Sequence, residues 1–133
     1  MRALLVALAL AACAEPPPSK AKTPAQRSLA GTSWVIVQDE NARGAPTLEF
    51  RAASRANGFT GCNQWFAQVE REGGRLRFKA IGMTRRACEP SVMEIERDFA
   101  VRLERTRSAR FDENTLTLIA ENGEILARFE RMR

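Results

Sequence analysis

The sequence predicts an α+β fold, mostly β: one domain built on a strongly curved antiparallel sheet with one main helix packed against it. Three observations predict it. Apolar and polar residues alternate at period two through most of residues 32–131. The pairs Gly73-Gly74 and Asn122-Gly123 stand between alternating runs, where tight hairpins need residues that accept positive φ. A single stretch, residues 91–103, changes to the helical period. The chain has 133 residues and a mass of 14.8 kDa, enough for one core and not two. Its 44% hydrophobic and 28% charged content excludes wholesale disorder.

Trp34-Val35-Ile36-Val37 places a strand over 32–39, because β-branched and aromatic side chains suit a pleated, half-buried surface. Residues 47–51 follow, with Leu48 and Phe50 on one face. A short strand is expected over 57–60 and a longer one over 65–70. Residues 75–80 alternate, sending Leu76, Phe78 and Ala80 inward and Arg75, Arg77 and Lys79 to solvent. A weaker strand over 107–111 precedes a hairpin of 115–120 and 125–131. Trp34, Trp65 and Phe66 read as core. The helix is marked at its start by Ser91 and Glu94, spaced as a capping box. Val92, Ile95, Phe99 and Leu103 form its apolar stripe. Glu94, Arg97, Asp98 and Arg102 lie opposite, with Asp98 and Arg102 spaced for an ion pair.

Residues 1–12 read as a lipoprotein signal peptide. Arg2 is its positive start, and residues 3–12 are unbroken apolar sequence. Leu10-Ala11-Ala12-Cys13 resembles the bacterial lipobox, whose cysteine thiol takes a diacylglycerol and becomes the first residue of the mature chain. An ordinary signal peptide that happens to contain a cysteine is the competing reading. Residues 13–28 form a lipidated, Pro-rich tether, extended and polar, and residues 29–133 form the folded domain. No apolar run reaches the length of a bilayer span. The expected location is the bacterial cell envelope, anchored in the membrane through Cys13. Ala14 lacks the acidic side chain that often holds lipoproteins at the inner membrane, which favours the periplasmic face of the outer membrane.

Among all 133 residues there is no histidine. Ser-His and Cys-His hydrolases, and zinc enzymes with imidazole ligands, are thereby excluded within this chain. The net charge is +5 and the pI about 9.9, yet the arginines alternate with Glu and Asp rather than gathering on one stripe. That distribution argues against nucleic acid as a partner. Cys62 and Cys88 would pair in an oxidising compartment, closing a loop of about 25 residues for roughly 3–4 kcal/mol. A redox-active or metal-binding pair is the alternative, although neither cysteine belongs to a C-x-x-C motif. Of the three cysteines, one is left over if Cys62 and Cys88 pair, and lipidation of Cys13 removes that odd thiol.

Four segments resemble the META domain family of HslJ-like, heat-inducible bacterial lipoproteins. Leu29-Ala30-Gly31-Thr32-Ser33-Trp34 is similar to the family's opening L-x-G-T-x-W. Gly58-Phe59-Thr60-Gly61-Cys62-Asn63 is similar to its G-x-x-G-C-N motif, and Met83-Thr84-Arg85-Arg86-Ala87-Cys88 to its T-x-M/R-A-C segment. Leu116-Thr117-Leu118 with Leu126-Ala127-Arg128-Phe129 matches the closing hairpin. The resemblance implies a mostly antiparallel β fold with a packed helix, in an envelope protein without established catalysis. It also implies a link to heat induction and other stress, or to secretion. Similar folds include a secretin pilot lipoprotein that binds acyl chains in a cracked barrel, so a cracked-barrel-like sheet is the expectation here.

The motif residues Gly31, Thr32, Trp34, Gly58, Gly61, Asn63, Thr84, Arg85 and Arg86 are candidate structural or contact positions. The glycines read as backbone requirements at bends, and Asn63 as a side chain that satisfies turn amides, against a polar binding site. Arg85 and Arg86 cannot both point inward on an extended chain, so at most one is expected on a carboxylate. Structural anchoring competes there with anion recognition. The carboxylates Glu94, Glu96 and Asp98 do not make a convincing catalytic pair. The leading reading is therefore a monomeric, non-enzymatic envelope lipoprotein, without metal or cofactor, acting through contacts with an unidentified envelope protein. The alternative is a binder of a small apolar or lipid ligand inside the sheet.

Overall fold

Alternation decides which face of each strand is buried, and the strands close on one another. A computed structural model describes residues 28–37 and 44–133. The predicted signal segment 1–12, Cys13 and the tether up to residue 27 lie outside the described residues, as does the end of the first predicted strand, residues 38–39. The elements are β1 (Thr32–Ile36), β2 (Thr47–Ala52), β3 (Arg55–Phe59), β4 (Gln64–Glu72), β5 (Arg75–Met83), α1 (Pro90–Arg105), β6 (Thr106–Phe111), β7 (Thr115–Ala120) and β8 (Ile125–Arg131).

Each strand pairs antiparallel with the next, and β8 returns to β1 through Trp34↔Arg131 and Ile36↔Phe129. The strongly curved antiparallel sheet of the sequence reading is a closed up-and-down barrel of eight strands, a more specific architecture than the cracked-barrel-like sheet expected. Closure satisfies the edges that an open sheet would expose. The thinnest seam lies between β5 and β6, where one ladder position, Arg75↔Ser108, is joined by the Ala109 N–H donating to the Gly74 carbonyl at 3.0 Å. There α1 bridges the two strands in sequence and packs against β5.

Inward positions fill the barrel: Trp34, Leu48, Phe50, Trp65, Leu76, Phe78, Leu116, Leu118 and Phe129 are all buried. The rings of Phe50, Phe78, Trp65, Phe99 and Phe129 run in contact through the interior, with successive centroids 6.3, 5.9, 5.8 and 6.4 Å apart. Such offset and edge-on pairs each add about 0.5–1.5 kcal/mol beyond burial.

The structure corrects four local expectations. Ala80 is exposed rather than inward, because β5 bulges there. Phe66 faces Gly82 while Gln68 faces Lys79, so β5 spends one residue more than β4, and Ala80 takes φ 50°. Phe66 is 56% exposed and not core. The helix starts one residue before the predicted capping box: Pro90 occupies its first turn after Glu89, with no side-chain cap, so Ser91 and Glu94 lie inside the helix. Asp98 and Arg102 do not form the predicted ion pair; instead Arg105, in the last turn, pairs with Glu124 of the β7–β8 turn. Phe99 and Leu103 are buried as the stripe predicts, while Val92 and Ile95 are half-buried beside Gly61.

Candidate functional site

The motif residues gather at the two ends of the barrel. At the end where the described chain enters, Leu29 is buried and its carbonyl accepts the Thr32 hydroxyl at 2.6 Å and the Thr32 amide at 3.1 Å. The Thr32 Oγ1 in turn accepts the indole N–H of Trp34 at 2.7 Å, and the Gly31 N–H donates to the Phe50 carbonyl at 2.7 Å. Gly31, Thr32 and Trp34 thus form one hydrogen-bonded turn that lets a fully buried tryptophan keep its N–H satisfied. Above the Trp34 ring, the Arg131 guanidinium sits 5.7 Å from the centroid.

The second cluster lies at the N-terminal end of α1. Gly58 is required by close approach: a Cβ there would stand 2.0 Å from the Thr47 carbonyl oxygen, which accepts the Trp65 indole N–H at 3.0 Å. Gly61 holds φ +104° and lies against the Gly44 carbonyl, a geometry that disfavours any side chain. The turn between them is tied by Thr60, whose Oγ1 accepts the amides of Cys62 and Asn63 at 3.2 and 2.8 Å. Cys62 and Cys88 are joined in a disulfide with Cα atoms 6.0 Å apart, fixing this turn to the entrance of α1.

Asn63 is the hub, buried to 2% exposure. Its Oδ1 accepts the Arg86 amide at 2.6 Å and the Thr84 hydroxyl at 3.0 Å. Its Nδ2 donates to the Arg86 carbonyl at 3.1 Å and to Glu96 at 3.0 Å. All four hydrogen-bonding positions of the amide are therefore used. Glu96 also accepts the Thr60 hydroxyl and the Asn63 backbone N–H.

Asn63 satisfies backbone amides as the sequence predicts, but those of residue 86 rather than of its own turn. Arg86 anchors its segment through its backbone, and the side chains of Arg85 and Arg86 are both exposed with no carboxylate partner among the described residues. Sequence reasoning weighed Glu96 only as an unconvincing catalytic carboxylate and gave it no structural partner, and it assigned Thr60 no role. The signal for Glu96 was its spacing: four residues after Val92 and seven before Leu103, it sits on the shoulder of the apolar stripe rather than opposite it.

Two carboxylates have pKa values held below the ordinary 4.5, both outside this cluster: Glu70 by its hydrogen bond from Lys79, and Glu124 by its hydrogen bond and charge pairing with Arg105. Among the described residues, no three His, Cys, Asp or Glu side chains gather as metal ligands, and no helix is long and apolar enough to cross a membrane.

A closed barrel with one helix across it, opened by the Leu29–Trp34 turn and locked by the Asn63 hub, defines a small class of domain. Residues 27–133 match the family model of the META domain, and the chain belongs to that family. No curated protein matches the chain. Among solved structures it is similar to a Burkholderia xenovorans protein determined by NMR, at 23% identity and a TM-score of 0.65, over 90% of this chain and 99% of that one. A further NMR structure is similar at 21% identity and a TM-score of 0.58, over 83% and 95% of the two chains. The crystal structure of a DUF4847-family protein from Bacteroides vulgatus is similar at 14% identity and a TM-score of 0.57, over 77% and 93%. These likenesses carry the fold alone.

Proposed function

We propose that this META-domain chain is a non-enzymatic lipoprotein of the cell envelope, anchored through Cys13 and acting by protein contacts as a stress-response or secretion accessory module. The observation that carries it is the Asn63 hub: the side-chain polar groups of Thr60, Asn63, Thr84 and Glu96 are spent on one another and on the backbone of residues 62, 63 and 86, which closes the fold. A catalytic centre needs groups aimed at a site for substrate, whereas these are aimed at one another. The filled interior supports contacts over an enclosed ligand. The pocket at the Leu29 end, lined by Phe50, Val69 and Arg71, has a volume of about 240 Å³, below the usual range for small-molecule sites, and the larger clefts, of about 610 Å³ each, are open rather than enclosed by the barrel. A closed barrel offers no strand edge for pairing, which supports a monomer.

The lipobox at Cys13 and the Pro-rich segment before Leu29 support the anchor, with residues 14–28 as spacer between membrane and barrel. Fractionation tests this reading. Wild-type protein is expected with outer membranes after a salt wash, and Cys13→Ser in the soluble periplasm. A Cys13→Ser variant that stays with the membrane would overturn the anchor.

A further inference from the structure

Phe66 lies where strand alternation points outward, on β4, and its ring covers Gly82 of β5: a Cβ on Gly82 would stand 2.4 Å from it. Covering a glycine explains its position but not its exposure, since 56% of Phe66 still faces solvent. It forms a ridge between two open clefts of about 610 Å³ each. One cleft is lined by Ile81, Met83 and Met93 with Arg85 and Arg86 at its rim. The other carries Ala80 beside Arg51 and Arg55. Of these four arginines only Arg51 meets a carboxylate among the described residues, Glu49 at 3.6 Å.

The combination is specific. A central aromatic with adaptable methionines beside it supplies apolar area that can be desolvated, as at the middle of protein interfaces. Arginines at the rim supply forked donors for carboxylates. The Ala80 bulge and the Asn63 hub hold the two clefts in a fixed relation, since one shapes β5 and the other pins residues 84–86. We infer that this face binds an extended acidic segment of a partner protein, with apolar side chains against Phe66, Met83 and Met93 and carboxylates on Arg85, Arg86 and Arg55. The inference rests on the reading of the chain as a contact module and names the chemistry of its partner.

The test uses the full chain with Cys13→Ser, which leaves every described residue in place, and two labelled peptides of equal length, one alternating Glu with Leu and the other Lys with Leu. The Glu-Leu peptide is expected to bind about tenfold tighter or better than the Lys-Leu peptide, and to weaken as salt rises from about 0.01 to about 0.15 M. Phe66→Ala, and separately the pair Arg85→Gln with Arg86→Gln, are each expected to weaken it about tenfold. Because both arginine side chains are exposed, the paired variant keeps its fold and decides the matter even where Phe66→Ala unfolds. Equal affinity for the two peptides, or unchanged binding by the arginine pair, would overturn the inference. So would binding to phosphatidylglycerol vesicles that depends on these arginines while the Glu-Leu peptide fails to bind, which would mark the face as a lipid contact. Loss of peptide binding with normal Cys13→Ser release would sink this inference and leave the anchored module standing; the reverse pattern would do the opposite.

Discussion

The side chain of Asn63 holds the backbone of Arg86 by both of its polar groups, accepting the N–H at 2.6 Å and donating to the C=O at 3.1 Å. An amide side chain here plays the part of a neighbouring strand for Arg86, three residues beyond the end of β5. Asn63→Leu leaves the Arg86 amide and carbonyl, the Thr84 hydroxyl and Glu96 short of partners. Urea denaturation should show a loss of about 2–4 kcal/mol with an unchanged m-value.

The disulfide acts on the same region by another route. Cys62→Ala with Cys88→Ala should cost about 2–4 kcal/mol, chiefly by freeing a 26-residue separation in the unfolded chain. Thiol titration of protein recovered from its native compartment should find neither cysteine free.

Glycine requirements separate cleanly by site. Gly58→Ala drives a methyl group into the Thr47 carbonyl and should destabilise the barrel by roughly 3 kcal/mol or more. Gly74→Ala meets nothing within 4 Å and carries no positive φ, so it should be neutral or stabilising by up to about 1 kcal/mol. Thermal melts of the two variants side by side provide the check.

The helix gives a second contrast. Phe99→Ala empties the centre of the aromatic file between Trp65 and Phe129 and should cost about 3–5 kcal/mol. Glu94→Ala removes an exposed side chain that caps nothing and should stay within about 0.5 kcal/mol. Chemical denaturation measures both.

Much of this was legible in the residues. Period-two alternation found the buried faces of Leu48, Phe50, Leu76 and Phe78, residue type marked Trp34 and Trp65 as core, and the helical period found Phe99 and Leu103. What alternation could not reveal was the bulge at Ala80, because an extra residue leaves the pattern intact on either side of it and shifts only the register with β4. Phe66 was misread for a related reason. Composition marks it as core, but strand parity puts it on the outer face beside Trp65. The helix start was decided by Pro90, whose fixed φ overrode the capping spacing of Ser91 and Glu94. At the hub, the resemblance to the family's motifs marked Asn63 and Thr84, and the cysteine count marked Cys62 and Cys88. Helical spacing could place Glu96 on the shoulder of the apolar stripe, but its partners at Thr60 and Asn63 are set by closure of the barrel, a long-range event that local spacing does not encode.

Acid should loosen the Arg105–Glu124 tie between the end of α1 and the β7–β8 turn. The Glu124 carboxyl has a pKa below its ordinary 4.5 in the folded state. The folded form therefore binds fewer protons than the unfolded form across that interval. The tie contributes fully above the unfolded value and is lost as pH falls through the lower, folded value. Melting temperatures of wild type and Glu124→Gln should differ at neutral pH and converge as the pH drops below the folded value.

Intact-mass spectrometry of the protein purified from its host membranes tests the central claim most directly. The lipoprotein reading predicts a chain that starts at Cys13, lacks residues 1–12 and carries the added mass of its acyl groups. A chain that retains those residues, or one with an unmodified Cys13, would contradict it.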